Sequence, residues 1–152
     1  MVGVSLASTS ARADLWEIQV YNGTANPPGY MGVEVHMNHV ASGPKKDDGP
    51  ERAPDGRSHL TLEPSLGVTP WWELGMYLQS AKRKTGELDY AGIKIRSKFV
   101  TPPGWHEHLR LGVNLELSSL PIAYDKNHLG CEVRPIVAWE NESFMFAANP
   151  NV

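Results

Sequence analysis

Leu109-Arg110-Leu111-Gly112-Val113-Asn114-Leu115-Glu116-Leu117 alternates apolar residues with polar or small ones without a break. Successive side chains of a strand point to opposite faces, so this segment has one wholly apolar face and one that carries Arg110, Asn114 and Glu116. The pattern recurs along the chain. A series of such strands, each about ten residues long and separated by turn residues, is the signature of a transmembrane β-barrel. A soluble β-barrel or sandwich alternates just as cleanly, so the choice falls to what flanks the strands.

Working outward, the same reading places eight strands: Leu15–Tyr21, Tyr30–Val40, Ser58–Val68, Trp72–Ser80, Tyr90–Val100, Leu109–Leu120, Cys131–Trp139 and Ser143–Asn149. No window supports a useful amphipathic helix, and none approaches the roughly eighteen apolar residues of a membrane helix. That excludes a helical span and leaves a barrel open. Twelve Pro and fourteen Gly suit many short strands joined by turns. The 152 residues suffice for one domain with a closed core. A net charge of -3 offers no basic field for nucleic acid. Cys131 is the single cysteine, so no internal disulfide forms and its expected role is packing.

The N-terminus reads as processing. Val2 to Ala7 is weakly apolar, and Ser8-Thr9-Ser10-Ala11-Arg12-Ala13 ends in the small-x-small pattern of a signal-peptidase site. Residues 1–13 are therefore expected to be the remnant of a secretory signal, and 14–152 a β-barrel domain. The connectors alternate. Gly43–Arg57, Ala81–Asp89 and Pro121–Gly130 are polar and roomy, whereas Thr69-Pro70-Trp71, Thr101-Pro102-Pro103-Gly104 and Glu140-Asn141-Glu142 are compact. All long connectors then lie at one end, as in outer-membrane barrels. Trp71, Trp72, Trp105 and Trp139 gather at the compact-turn end, level with Tyr30 and Phe99, where an interfacial girdle belongs. A soluble barrel would place Trp in mid-strand to fill its core. The expected fold is all-β: an antiparallel up-and-down transmembrane β-barrel, complete or open, of about seven to eight strands.

If the apolar face meets lipid, the other lines the interior. Its charged members are Glu34, His36, Glu63, Glu73, Lys94, Arg96, Lys98, Arg110, Glu116, Glu132 and Arg134, with acids balancing bases. Hairpin register suggests Glu73 opposite Lys98, Arg96 between Gly75 and Gly112, Glu116 opposite Arg134, and His36 facing Glu63. A wide barrel would hold water there and pass a small polar solute. A barrel of eight strands is filled by its own side chains, so the same charges would form a plug. Connector parity argues that Asp14–Tyr21 does not span. Seven spans then remain, an odd number, and no terminal Phe or Trp closes the last strand, so a barrel lacking C-terminal strands is expected.

Trp16-Glu17-Ile18-Gln19-Val20-Tyr21, Gly67-Val68-Thr69-Pro70-Trp71-Trp72-Glu73-Leu74-Gly75 and Glu132-Val133-Arg134-Pro135-Ile136 resemble segments of bacterial outer-membrane barrels. These are channel-like proteins, some grouped with a family assigned to a phenol-degradation pathway. The resemblance implies an outer-membrane location and a passive-transport or envelope-structural role, with membrane lipid as the partner. It carries over no binding residue and no cofactor. The rival expectation is a soluble periplasmic β-barrel that binds a small apolar ligand.

Enzyme chemistry has little to stand on. On a strand His106 and His108 would share a face, compatible with two zinc ligands, but no third ligand is near and the segment reads more simply as an interfacial polar turn. His36, Glu63 and Ser65 could in principle hydrolyse a lipid ester, yet they point inward rather than to the lipid face. Lys45-Lys46-Asp47-Asp48 and Lys82-Arg83-Lys84 read as solvated loop charges, with lipopolysaccharide phosphates as a weaker option. No phosphate-binding glycine loop occurs. Neither catalytic nor metal residues are expected, and the protein is not expected to be an enzyme.

Overall fold

The computed structural model describes residues 19–151. The expected signal remnant at 1–13 and most of Leu15–Tyr21 lie outside them. Seven strands form one antiparallel sheet: β1 (Met31–His39), β2 (Ser58–Thr69), β3 (Trp72–Lys82), β4 (Leu88–Val100), β5 (Leu109–Ser119), β6 (Leu129–Glu140) and β7 (Met145–Ala148). Each pairs with its successor in the chain. The meander curls into a half-barrel with β1 and β7 at its edges.

Alternation makes the two faces opposite in character, and their burial is inverted. On the concave face Thr61, Glu63, Glu73, Tyr77, Gln79, Lys94, Arg96, Asn114, Glu116 and Arg134 are buried. The convex face exposes Val33, Val35, Leu62, Leu74, Leu78, Ile95, Leu111, Leu115, Val133 and Val137. Among the described residues the buried apolar cluster is only Ala81, Ala91 and Leu120, with Tyr124 packed on it. The interior is therefore polar.

Three details differ from the expected layout. Gln19–Tyr21, the described part of the first predicted strand, is not a strand. The long and short connectors do not alternate strictly, because β3 and β4 extend until only 83–87 joins them, whereas 101–108 joins β4 to β5. Three registers are displaced: Arg96 faces Glu116 rather than Gly112, Glu116 faces Glu132 rather than Arg134, which pairs with Asn114, and His36 faces Thr61 rather than Glu63. Glu73 does face Lys98, and Arg96 does face Gly75.

Candidate functional site

The concave wall is built around Arg96 of β4, 2% exposed. Its guanidinium lies 2.6 Å from Glu63 Oε1 on β2 and 2.7 Å from Glu73 Oε1 on β3. Lys98 Nζ is 3.0 Å from the same Glu73 oxygen, and Lys94 Nζ is 3.9 Å from Glu116 Oε2. Gly75 makes room for the fork: a Cβ there would sit 2.8 Å from Arg96 Nε and Nη2. Two carboxylates on one guanidinium is the arrangement that lets a buried Arg stay charged.

The segment before β1 occupies this interior. Tyr21 is buried, and its ring lies 5.4–5.7 Å from the cationic groups of Arg96, Lys98 and Arg134. Its hydroxyl lies 2.7 Å from both Tyr77 Oη and Gln19 Oε1 and 3.0 Å from Glu116 Oε1, and it accepts from Asn114 Nδ2 at 3.2 Å. Asn149 brackets the Tyr21 backbone, its Oδ1 accepting from Tyr21 N and its Nδ2 donating to Tyr21 O. Further along, Asn26 N donates to Glu73 Oε2 at 2.7 Å, and Asn26 Nδ2 to Ser65 Oγ at 3.0 Å. A Cβ at Gly67 would come within 2.1 Å of Pro27 O, so only glycine allows the segment so close to β2. The buried charges of the wall are Glu63, Glu73 and Glu116 against Lys94, Arg96, Lys98 and Arg134. Arg134 is also paired with Glu132 at 3.0 Å, and the Tyr21 ring adds cation–π attraction for Arg96, Lys98 and Arg134.

The other expected interior residues sit further out. Glu34 is on the concave side of edge strand β1 but exposed, and His36 beside it is half-buried. His36 is paired across the strands with Thr61, yet its Nε2 reaches Glu63 Oε2 at 3.1 Å along the diagonal. Arg110, half-buried, is held by Glu140 at 2.5 Å. The four girdle residues lie at the end of the sheet where 70–71, 101–108 and 141–144 turn. Trp71, Trp105 and Trp139 are exposed, and Trp72 stacks on Phe99 with ring centroids 5.9 Å apart. Phe144, Met145 and Phe146 are exposed at the same end, an apolar addition that the sequence reading left out of the girdle.

The chain matches no family model, no curated protein and no solved structure.

Among the described residues, the Ser, His and acidic groups weighed for catalysis or metal binding are placed as follows. Ser65 Oγ is engaged by Asn26, and His36 by Glu63. His106 Nδ1 accepts the backbone N–H groups of His108 and Leu109, each at 3.1 Å, and His108 Nδ1 lies 3.0 Å from Glu140 O. Those rings order a turn and do not face a common ion. Glu34, His36 and Glu63 bring three ligand atoms within 4.8 Å of one another. Arg96 already neutralises Glu63 there, which weakens the pull on a cation. Sequence reasoning missed the interior position of Tyr21 and Asn26. The break Asn22-Gly23-Thr24 and the Pro27-Pro28-Gly29 turn were its available signals.

Proposed function

We propose that this chain forms the wall of a bacterial outer-membrane β-barrel with a passive-transport role, its charged interior closed by its own residues 19–29. The observation that carries the reading is the inverted burial: ion pairs inside, Leu, Val and Ile outside. In water such an outer face is costly, at about 25 cal/mol per Å² of apolar surface left exposed. In hydrocarbon it is the favoured arrangement for these side chains; the backbone within the sheet is paired, and the edges β1 and β7 need pairing partners of their own there. The Trp and Phe residues at one end support a lipid–water boundary there. A soluble barrel binding an apolar ligand needs apolar side chains on the concave face, where Glu63, Arg96 and Glu116 stand instead. A channel role rather than a purely structural one is supported by an interior that ions and hydrogen bonds, not apolar packing, hold shut.

The test is reconstitution of the chain into vesicles with heat-modifiable gel mobility, and Trp fluorescence with lipids brominated at set depths. Strongest quenching by bromines near the headgroups is expected. Full solubility as a folded monomer in plain buffer refutes the membrane reading.

A further inference from the structure

We propose that the loop end of the sheet carries a binding site for a small oxyanion, a phosphate or carboxylate, anchored by Arg57. The segments 40–57, 83–87 and 120–128 converge there: Arg52 N donates to Ala123 O at 2.9 Å and Lys126 N to Glu51 Oε1 at 2.8 Å. Between the first two lies a cavity of 230 Å³ lined chiefly by Asp47, Arg52, Asp55, Arg57, Arg83 and Lys84.

The carboxylates near it are already engaged. Asp89 serves both Arg52 and Arg83, Glu87 also pairs with Arg83, and Asp55 lies 3.4 Å from Lys84 Nζ. Asp47 Oδ1 accepts the Ala53 N–H. Arg57 is different. It is 5% exposed, no carboxylate of the described residues lies within ion-pairing distance, and its Nε has no hydrogen-bond partner. Asp47 and Glu51 act on it only from beyond ion-pairing distance, and a buried cation so weakly compensated is unfavourable, which an incoming anion in direct contact relieves.

The guanidinium is also held in place. Arg57 O accepts from Val40 N and Arg57 N donates to Pro54 O, while Nη2 donates to Arg52 O at 2.9 Å. Its Cζ sits 5.1 Å from the ring centroid of Tyr124, which Asp89 fixes through a 2.6 Å hydrogen bond. A preorganised fork suits the two oxygens of phosphate or carboxylate better than a spherical halide. Lys84, on the exposed rim, adds long-range attraction. The site stands on loop geometry and is independent of the membrane reading.

The experiment titrates the full folded chain in detergent micelles with inorganic phosphate, and separately acetate, at constant ionic strength. Thermal melting and phosphorus NMR line width report binding. A saturable rise in melting temperature beyond that in sodium chloride is expected. Affinity should fall about tenfold in Arg57→Gln and less in Lys84→Gln, as removal of a charged hydrogen-bond donor predicts. Micelles doped with a phosphorylated glycolipid separate the sources: competition with free phosphate assigns the site to lipid phosphates, and its absence to soluble anions. The proposal is overturned if chloride reproduces the whole shift, or if Arg57→Gln binds phosphate within about twofold of the parent. Should Arg57→Gln fail to fold, the chloride comparison on the parent chain and the Lys84→Gln titration decide.

Discussion

Leu115→Lys separates a lipid-facing outer wall from a wet one. Leu115 points outward between Ser97 of β4 and Val133 of β6, is 39% exposed, and lies one position past the middle of the 11-residue β5. At about 3.4 Å per residue and a tilt of about 40°, such a strand rises about 28 Å, close to the apolar band of roughly 25 Å around a membrane barrel. Leu115 then stands about 3 Å from the midplane and Leu117 about 8 Å. A Lys at the midplane costs about 2–4 kcal/mol, and at Leu117, some two-thirds of the way to the edge of the band, about 1–2 kcal/mol. In water the same change on an exposed surface stays within about 0.5 kcal/mol. The assay is reversible urea unfolding from short-chain phosphatidylcholine vesicles, followed by Trp fluorescence. The depth gradient is the decisive reading. Equal costs at the two positions, or both below about 0.5 kcal/mol, refute the lipid-facing assignment.

Other perturbations address the interior and the loops. Arg96→Met leaves Glu63 and Glu73 without their shared cation and should cost about 3–5 kcal/mol in the same titration, with part recovered in Arg96→Met/Glu63→Gln. Tyr21→Ala removes the ring that faces Arg96, Lys98 and Arg134, so planar-bilayer conductance should rise above that of the parent; an unchanged, silent bilayer would mean that the wall closes without the segment. Asn114→Lys, which a water-lined wall would tolerate, meets a fully buried site bonded to Glu116 and Tyr21 and should destabilise by about 1–3 kcal/mol. The Gly43 N–H, backed by Lys84, holds the Asp55 carboxyl below its usual range. A lowered folded pKa gives stabilisation that is present above the unfolded value, near pH 4, and lost as pH falls through the folded one. Pepsin cleavage within 40–57, taken relative to an unfolded reference peptide at each pH, should therefore stay flat down to about pH 4 and rise below it.

What the alternation could and could not convey is visible in its errors. Arg96 was expected opposite Gly112 and lies opposite Glu116; Glu116 was expected opposite Arg134 and lies opposite Glu132; His36 was expected opposite Glu63 and lies opposite Thr61. Every displacement is an even number of residues. A period of two fixes which face a side chain occupies, and an even slip keeps it there, so the concave position of Arg96, Glu116 and Arg134 survives although their partners change. Partners depend on how many residues each turn absorbs. Folding across Thr101–His108 brought Gly112 opposite Arg96, whereas the β4–β5 ladder begins only at Val100 with Gly112, so the turn takes up more of the chain than the strand boundaries suggest. In the hairpin over 83–87 the register shifts by a single residue, between Gln79 and Ser80, and there the Glu73–Lys98 pairing was legible.

The interior segment lay beyond that logic for a physical reason. Gln19 and Tyr21 contribute through single side chains bonded to Glu63 and Glu116, and Asn26 through its backbone N–H to Glu73 and its side chain to Ser65; all are groups far along the chain, and no periodicity marks such contacts. Strand number was expected to decide between pore and plug, because eight strands leave room only for side chains. Here the half-barrel's cations already have an occupant in Tyr21, and its carboxylates have one in Asn26 N. Whether such an interior conducts then depends on the free energy holding 19–29 against the wall. The contacts responsible, Asn26 to Glu73 and Ser65 and the fit of Pro27 over Gly67, lie at the compact-turn end, away from the loop cap. Gly67→Ala acts on that fit and on no charge. If it raises conductance while Arg96 and Glu73 remain paired, release of the segment and not collapse of the charged wall is what opens the barrel.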